Sequence, residues 1–529
     1  MTNFLVKHYR ITWALLLALL LPALACNLPS YSGGSAGITS NELRQTLDAQ
    51  YIAATQGTPA ATITPQPTGA YQFIGLHTAT PVASVQETPL PTQNLTPEAF
   101  TVYPAQPGDT LEALAPRFAV RPNEILSPQP IPAQGFIPPG QLLQIPNVLG
   151  KTASSSALLP DSEVIDSPSA AGFDLQGFIN QAGGYVSTYS ERVDGETLTG
   201  AQIVQRVASQ NSINPRLLLS LLEHEAGWVY GQPKQPDRVR YPLGWHISGR
   251  QGLYQELSIT ATQLSKGYYG WRQGILLELQ HPKGAKQRIH PGLNAGSVAL
   301  QHSVALLNEP AAWESALYGP DNLIQTHQRM FGDPWQRASQ VEPLSPAGLA
   351  QPILELPFLA GERWSFTGGP HASWNSGSPR GALDFAPVTG EPPCAVSRAW
   401  VTAPAPGVVV RSSDGVLALD LDGDGNEQTG WVLVFLHLAE AGRLAVGTVV
   451  EQDAPLGHPS CEGGRATGTH VHLARKYNGE WLSADWPVPF VMGGWQATAG
   501  AKIYSGELVK GEQVVSANPG GPRTSIITR

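Results

Sequence analysis

Chemistry-bearing side chains crowd the last third of this sequence. Five of its 13 histidines fall between positions 371 and 472. Histidine is the commonest metal ligand, so their spacing bears on a metal site. In TGTHVHLA, His470 and His472 stand two residues apart. On a strand that spacing puts both imidazoles on one face while Thr469, Val471 and Leu473 point the other way. One ring can bind a cation while its neighbour stays free. His371, in TGGPHASWNSGSPRGALDFAP, precedes Asp384, and His437 lies in VLVFLHLAE. A zinc hydrolase needs about three protein ligands, an open position for water and an adjacent group that moves protons. Taken singly, a histidine here is more often a hydrogen-bonded surface group, and Asp384 a turn carboxylate. Jointly, a His-x-His on a strand, an upstream strand histidine and a distant His/Asp pair could supply such a site.

The constellation resembles the lysostaphin-like family of zinc peptidoglycan endopeptidases. The long GGPH-to-LDFAP spacing, with GHPSCEGGRATGTHVHLARKYNGEW, is similar to its β-lytic branch, and the likeness covers most of residues 355–500. The resemblance implies that His371, Asp384 and His472 hold Zn2+, while His470 and His437 act on the attacking water and the developing oxyanion. The commoner branch carries a histidine four residues before the aspartate. That position here is Arg380, which does not ligate metals at ordinary pH. Either His371 folds back across a Gly/Ser loop, as the β-lytic pattern implies, or the metal site is broken.

The elements that must position these residues read as short strands. Val408-Val409-Val410, Val416-Leu417-Ala418-Leu419 and the run from Trp431 to Leu438 are punctuated by glycine and proline, the texture of an antiparallel β unit. DLDGDGNEQTGW sets Asp420, Asp422 and Asp424 at alternating positions, like the start of a Ca2+ loop, but its twelfth position is Trp431. An acidic hairpin tip is the simpler account. Cys394 and Cys461 would form a disulfide in an oxidising compartment if Cys26 is otherwise engaged; two buried thiols are the alternative.

Upstream, Lys7, His8 and Arg10 precede an apolar run from Ile11 to Leu21 that ends in LPALAC. Residues 1–26 thus read as an export signal. LPALAC resembles a lipoprotein lipobox with Cys26 as the lipidated residue, although Ala23 stands where leucine is usual and Ala-Leu-Ala also fits ordinary signal cleavage. Residues 27–98, rich in Thr, Pro and Ser, read as a linker. Residues 99–148 resemble a LysM domain through PGDTLEALAPRF and IPPGQLLQIP. That likeness makes Gly108, Asp109, Thr110 and Ile125 candidate glycan contacts. Residues 149–172 read as a second linker.

Residues 173–345 read as helical. There INPRLLLSLLEHEAGWVYG distantly resembles the catalytic helix of lysozyme-like lytic transglycosylases, with Glu225 at the position of the glycan acid and Ala226 where serine is usual. A glycan acid needs a carboxyl in an apolar pocket. Tyr268, Tyr269 and Trp271 form either a sugar-stacking surface or core. Residues 355–500 hold the metal candidates, and 501–529 read as a C-terminal tail.

Composition narrows the classes. A balance of 32 basic to 41 acidic residues and a net charge of −9 argue against a nucleic-acid surface. Charged residues at 14% with 55 Gly and 47 Pro favour turns and short strands over long charged helices. The expectation is a multidomain chain with a small α+β LysM-like module, a mainly α-helical lysozyme-like middle unit and an all-β antiparallel zinc metallopeptidase at the C-terminus. It would be extracytoplasmic, either lipid-anchored to a membrane or secreted, and would cleave peptidoglycan peptides. The alternatives are a catalytically silent wall-binding or hydrolase-activating lipoprotein, and a glycan-cleaving enzyme using Glu225.

Overall fold

The computed structural model describes residues 99–520 and 525–529. The export signal, Cys26 and the linker through residue 98 lie outside the described residues. The first described unit pairs β1 (Phe100–Pro104) with β2 (Leu142–Pro146) antiparallel around α1 (Leu111–Phe118). Thr110 starts α1 by accepting the Ala113 N–H, and Leu114, Phe118, Leu143 and Ile145 fill the small core.

Four longer helices dominate the middle of the chain. They are α2 (Gly200–Asn211), α3 (Pro215–Ala226), α4 (Leu253–Arg272) and α5 (Ala295–Ala305). A reciprocal Thr199/Gln202 capping box opens α2; Asn214 and Pro215 open α3, which ends at Gly227 with φ 65°. Tyr268, Tyr269 and Trp271 are buried in the core, so they are packing residues and not a sugar-stacking surface. Residues 149–172 are not a free linker. Leu158, Leu159, Val164 and Ile165 sit in that same core, and their burial outweighs the Ser/Pro composition around them.

The third unit is built on an antiparallel sheet in the order β5 (Gly407–Ser413), β6 (Val416–Asp420), β7 (Trp431–Leu436), β8 (Val471–Tyr477), β4 (Arg380–Pro387), β3 (Arg363–Ala372). Period-two alternation splits its residues between two cores. Leu417, Leu433, Phe435, Val471 and Leu473 face a second sheet, while Val416, Ala418, Val432, Val434 and Ala474 share one core with the helices. The region after residue 500 is not a tail. Gly506–Lys510 and Gln513–Ser516 pair in the second sheet, and Ile526–Thr528 adds an edge strand to β3.

One guanidinium joins all three units. Arg272, at the end of α4, pairs with Asp161 at 2.9 Å and Glu480 at 3.0 Å, and its Nη1 donates to the Pro107 carbonyl. Tyr268 and Ser345 also donate to Glu480, at 2.6 and 2.8 Å. This junction sets Arg272 against Gly108, one of the expected glycan contacts. Gly108, Asp109, Thr110 and Ile125 are all buried, and a Cβ on Gly108 would collide with Arg272. The Asp109 carboxylate is spent on Tyr103, Gln106 and Arg117. Replacing Glu480 by alanine strips a buried charge of one partner, which should destabilise the chain by about 3 kcal/mol; the urea unfolding midpoint checks this.

Candidate metal centre

Strand register brings three side chains together. On β8, His472 lies opposite Asp384 of β4, and Gly368 of β3 lies on the other side of Asp384. Gly368 is required there, since a Cβ would overlap the carboxylate. Register shifts after Gly368 carry His371 to the end of β3, opposite Ala382. Residues 373–379 then turn back into β4, which is how His371 reaches the site across a Gly/Ser loop.

The resulting triangle is tight. His371 Nε2 lies 3.0 Å from His472 Nδ1 and 3.3 Å from Asp384 Oδ1, and His472 Nδ1 lies 3.4 Å from that oxygen. Tetrahedral zinc with bonds of about 2.0–2.1 Å spaces its ligand atoms about 3.3–3.4 Å apart, so the three atoms fit such an ion. Their hydrogen bonding points the same way. His371 Nδ1–H donates to Gly369 O at 2.9 Å, and His472 Nε2–H donates to Ser373 O at 3.0 Å. In neutral rings the facing nitrogens are then both acceptors. Asp384 Oδ1 is buried without a hydrogen-bond partner. Two lone pairs and a carboxylate oxygen that meet this closely need a cation or a proton among them.

Two further imidazoles flank the triangle. His470 Nδ1–H donates to Gly468 O at 2.8 Å, leaving its Nε2 3.8 Å from Asp384 Oδ1. His437 Nδ1–H donates to Glu462 O at 2.8 Å, and its ring centroid is 4.5 Å from that of His470. A cleft of about 530 Å³ opens alongside, between the helices and the sheet, with Arg206, Tyr254, Lys266, Trp374 and Gly464 on its walls. Gly464 brings that wall beside His437, since a Cβ there would lie 3.5 Å from Cε1.

Electrostatics divides these groups. Burial would raise the Asp384 carboxyl, but the surrounding imidazoles, His371 foremost and then His470 and His472, hold it well below the carboxylate range. Burial also disfavours charge on His371; the Asp384 carboxylate outweighs this and raises its pKa. His472 is lowered, chiefly by burial. Burial, reinforced by His470 and His472, pushes His437 down to about 3, so its ring is neutral at ordinary pH.

The other sequence candidates lie elsewhere. Glu225 ends α3 at the surface, 29% exposed and 3.5 Å from Arg238, and not in the apolar pocket that a glycan acid requires. Asp420, Asp422 and Asp424 cluster at a hairpin tip, where Asp420 accepts the Asp422 and Gly425 N–H groups and Thr429 donates to Asp424. Those contacts are the hairpin's own and leave Ca2+ without support. Cys394 and Cys461 are joined by a disulfide. Arg380 donates to Gly500 O. Sequence reasoning missed Tyr504, whose ring stacks on His371 at 4.2 Å between centroids, and the carbonyl of Ser373. Neither carries a sequence signal, because one lies in the presumed tail and the other acts through its backbone.

Comparison with known proteins finds likeness to LasA over parts of this chain. The family model of the LasA N-terminal domain matches residues 157–345, the helical unit together with part of the presumed linker, which gives that unit a likeness other than lysozyme. Protease LasA of Pseudomonas aeruginosa, from strains UCBPP-PA14 and PAO1, is 31% identical over 295 residues, and this chain is its homologue there. The match spans 51% of this chain and 65% of that relative, less than two thirds of its length. Among solved structures, the deep-sea M23 metalloprotease pseudoalterin aligns with a TM-score of 0.28 and 23% identity over 34% of this chain and 100% of that one. The catalytic domain of the antimicrobial peptidase lysostaphin from Staphylococcus simulans aligns at 0.17 and 20% identity, over 23% and 89%.

The triangle should take up one zinc ion per chain. Because the raised pKa of His371 makes it protonate above the ordinary imidazole value of about 6.5, zinc affinity should already weaken as pH falls towards that value and decline further below it. Competition with a chromophoric chelator at several pH values measures this, and Asp384→Asn should lower affinity at every pH.

Proposed function

We propose that this chain is a zinc metalloendopeptidase that hydrolyses peptide bonds of cell-wall peptidoglycan. The observation that carries the reading is the convergence of two acceptor nitrogens and an unpartnered carboxylate oxygen at His371, His472 and Asp384. Homology to a relative named as a protease supports a peptidase in particular. When bound, the ion supplies positive charge that polarises the scissile carbonyl and favours deprotonation of water.

This chain's residues do the rest. The cleft, whose wall adjoins His437 at Gly464, receives the substrate chain. Neutral His437, with Nδ1–H fixed on Glu462 O, takes the proton of the attacking water at Nε2 and passes it to the leaving amine. His470, oriented by Gly468 O, donates to the developing oxyanion when protonated. A new carbon–oxygen bond thus replaces the carbon–nitrogen bond, and the proton ends on the amine.

The disulfide supports an oxidising, extracytoplasmic setting. A leader acylated at Cys26, followed by the long polar linker, would hold the enzyme near a membrane yet within reach of the wall.

Digesting purified cell wall tests the reading. New amino groups should appear, vanish on chelation and be abolished by His472→Ala, while Glu225→Gln leaves them unchanged. New reducing or anhydro sugar ends lost in Glu225→Gln would favour a glycan-cleaving enzyme. Neither product would favour a silent wall-binding protein.

A further inference from the structure

The two imidazoles that are not metal candidates hang on loops, whereas His371, Asp384 and His472 lie on paired strands. His437 follows the end of β7 with φ 68°, a left-handed conformation uncommon outside glycine. What holds it flanks Cys461 on both sides. The His437 carbonyl accepts from Ser460 N at 2.7 Å and Ser460 Oγ at 3.0 Å, while its ring donates to Glu462 O at 2.8 Å. The other half-cystine serves the neighbouring histidine. Thr469 Oγ1, one residue before His470, donates to the carbonyl of Ala395, one residue after Cys394, at 2.7 Å. Ser460 itself bridges to His470, and Ser397 N donates to Pro459 O.

Cys394 is exposed and Cys461 half-buried, and neither belongs to a hydrophobic core cluster. The disulfide therefore stabilises little by packing. It ties the segment that seats His470 to the segment that seats His437.

Resting on the peptidase reading above, we propose that the Cys394–Cys461 disulfide is a positioning device for His437 and His470, so that its reduction stops turnover without disturbing the metal ligands. Once the tie is cut, residues 459–462 can draw back, His437 relaxes towards negative φ, and its ring leaves Glu462 O. A misplacement on the order of 1 Å is enough to cost about 100-fold in rate.

The test uses the zinc-loaded full chain and purified cell wall. Tris(2-carboxyethyl)phosphine reduces the bond: the phosphine takes oxygen from water to become its oxide, and each sulfur leaves as a thiol. The saturating rate of amino-group release should fall at least about 10-fold, with half-saturating wall concentration and zinc content unchanged within about twofold. Reoxidation should restore it, and the double variant Cys394→Ser/Cys461→Ser should behave as the reduced chain. In selectively 15N-histidine-labelled protein, the His437 Nδ1–H signal should be lost on reduction. An unchanged rate and ring signal, or a rate that falls only in step with zinc content or folded fraction, overturns the proposal. If the oxidised chain releases no amino groups, the peptidase reading fails, and the ring signal alone decides the positioning.

Discussion

Each of four histidines has one ring nitrogen committed to a backbone carbonyl, and everything else about the site depends on that. Gly369 and Ser373 fix His371 and His472 so that their remaining nitrogens face each other and Asp384. Gly468 and Glu462 fix His470 and His437 so that both Nδ1 atoms are occupied. Carbonyls can only accept, so the tautomer of each neutral ring is set by the backbone. A cluster of acceptors results, unfavourable by itself and favourable around a cation.

The backbone carbonyls are in turn held by distant parts of the chain. Ser373 opens a loop whose Asn375 donates to Asn211 at the end of α2, at 2.7 Å. Gly369 N donates to Tyr504 O, and the Tyr504 ring covers His371. The helical unit and the second sheet thus both brace the candidate metal ligands. The sheet face carrying them also shares its core with the helices, so the cleft beside the site has one wall from each unit.

The β texture and the shared face of His470 and His472 were legible because strand periodicity is two and both cores obey it. The likeness over GGPH and LDFAP pointed to His371 in spite of Arg380. What stayed hidden was long-range. Nothing local marks Tyr504 as the neighbour of His371, and the polar stretch around Leu158 and Leu159 conceals how deeply they are buried. The small N-terminal module looked open to glycan, but Arg272, supplied by another unit, fills the place in front of Gly108. Glu225 had the right helix end and the wrong surroundings, a difference that only neighbours from elsewhere in the chain reveal.

Zinc K-edge X-ray absorption on the metal-loaded chain addresses the central claim most directly. The account predicts two imidazole rings and light oxygen scatterers, all at about 2.0–2.1 Å, with one ring lost in His371→Ala. A sulfur shell at about 2.3 Å, or a spectrum unchanged by His371→Ala, would contradict it.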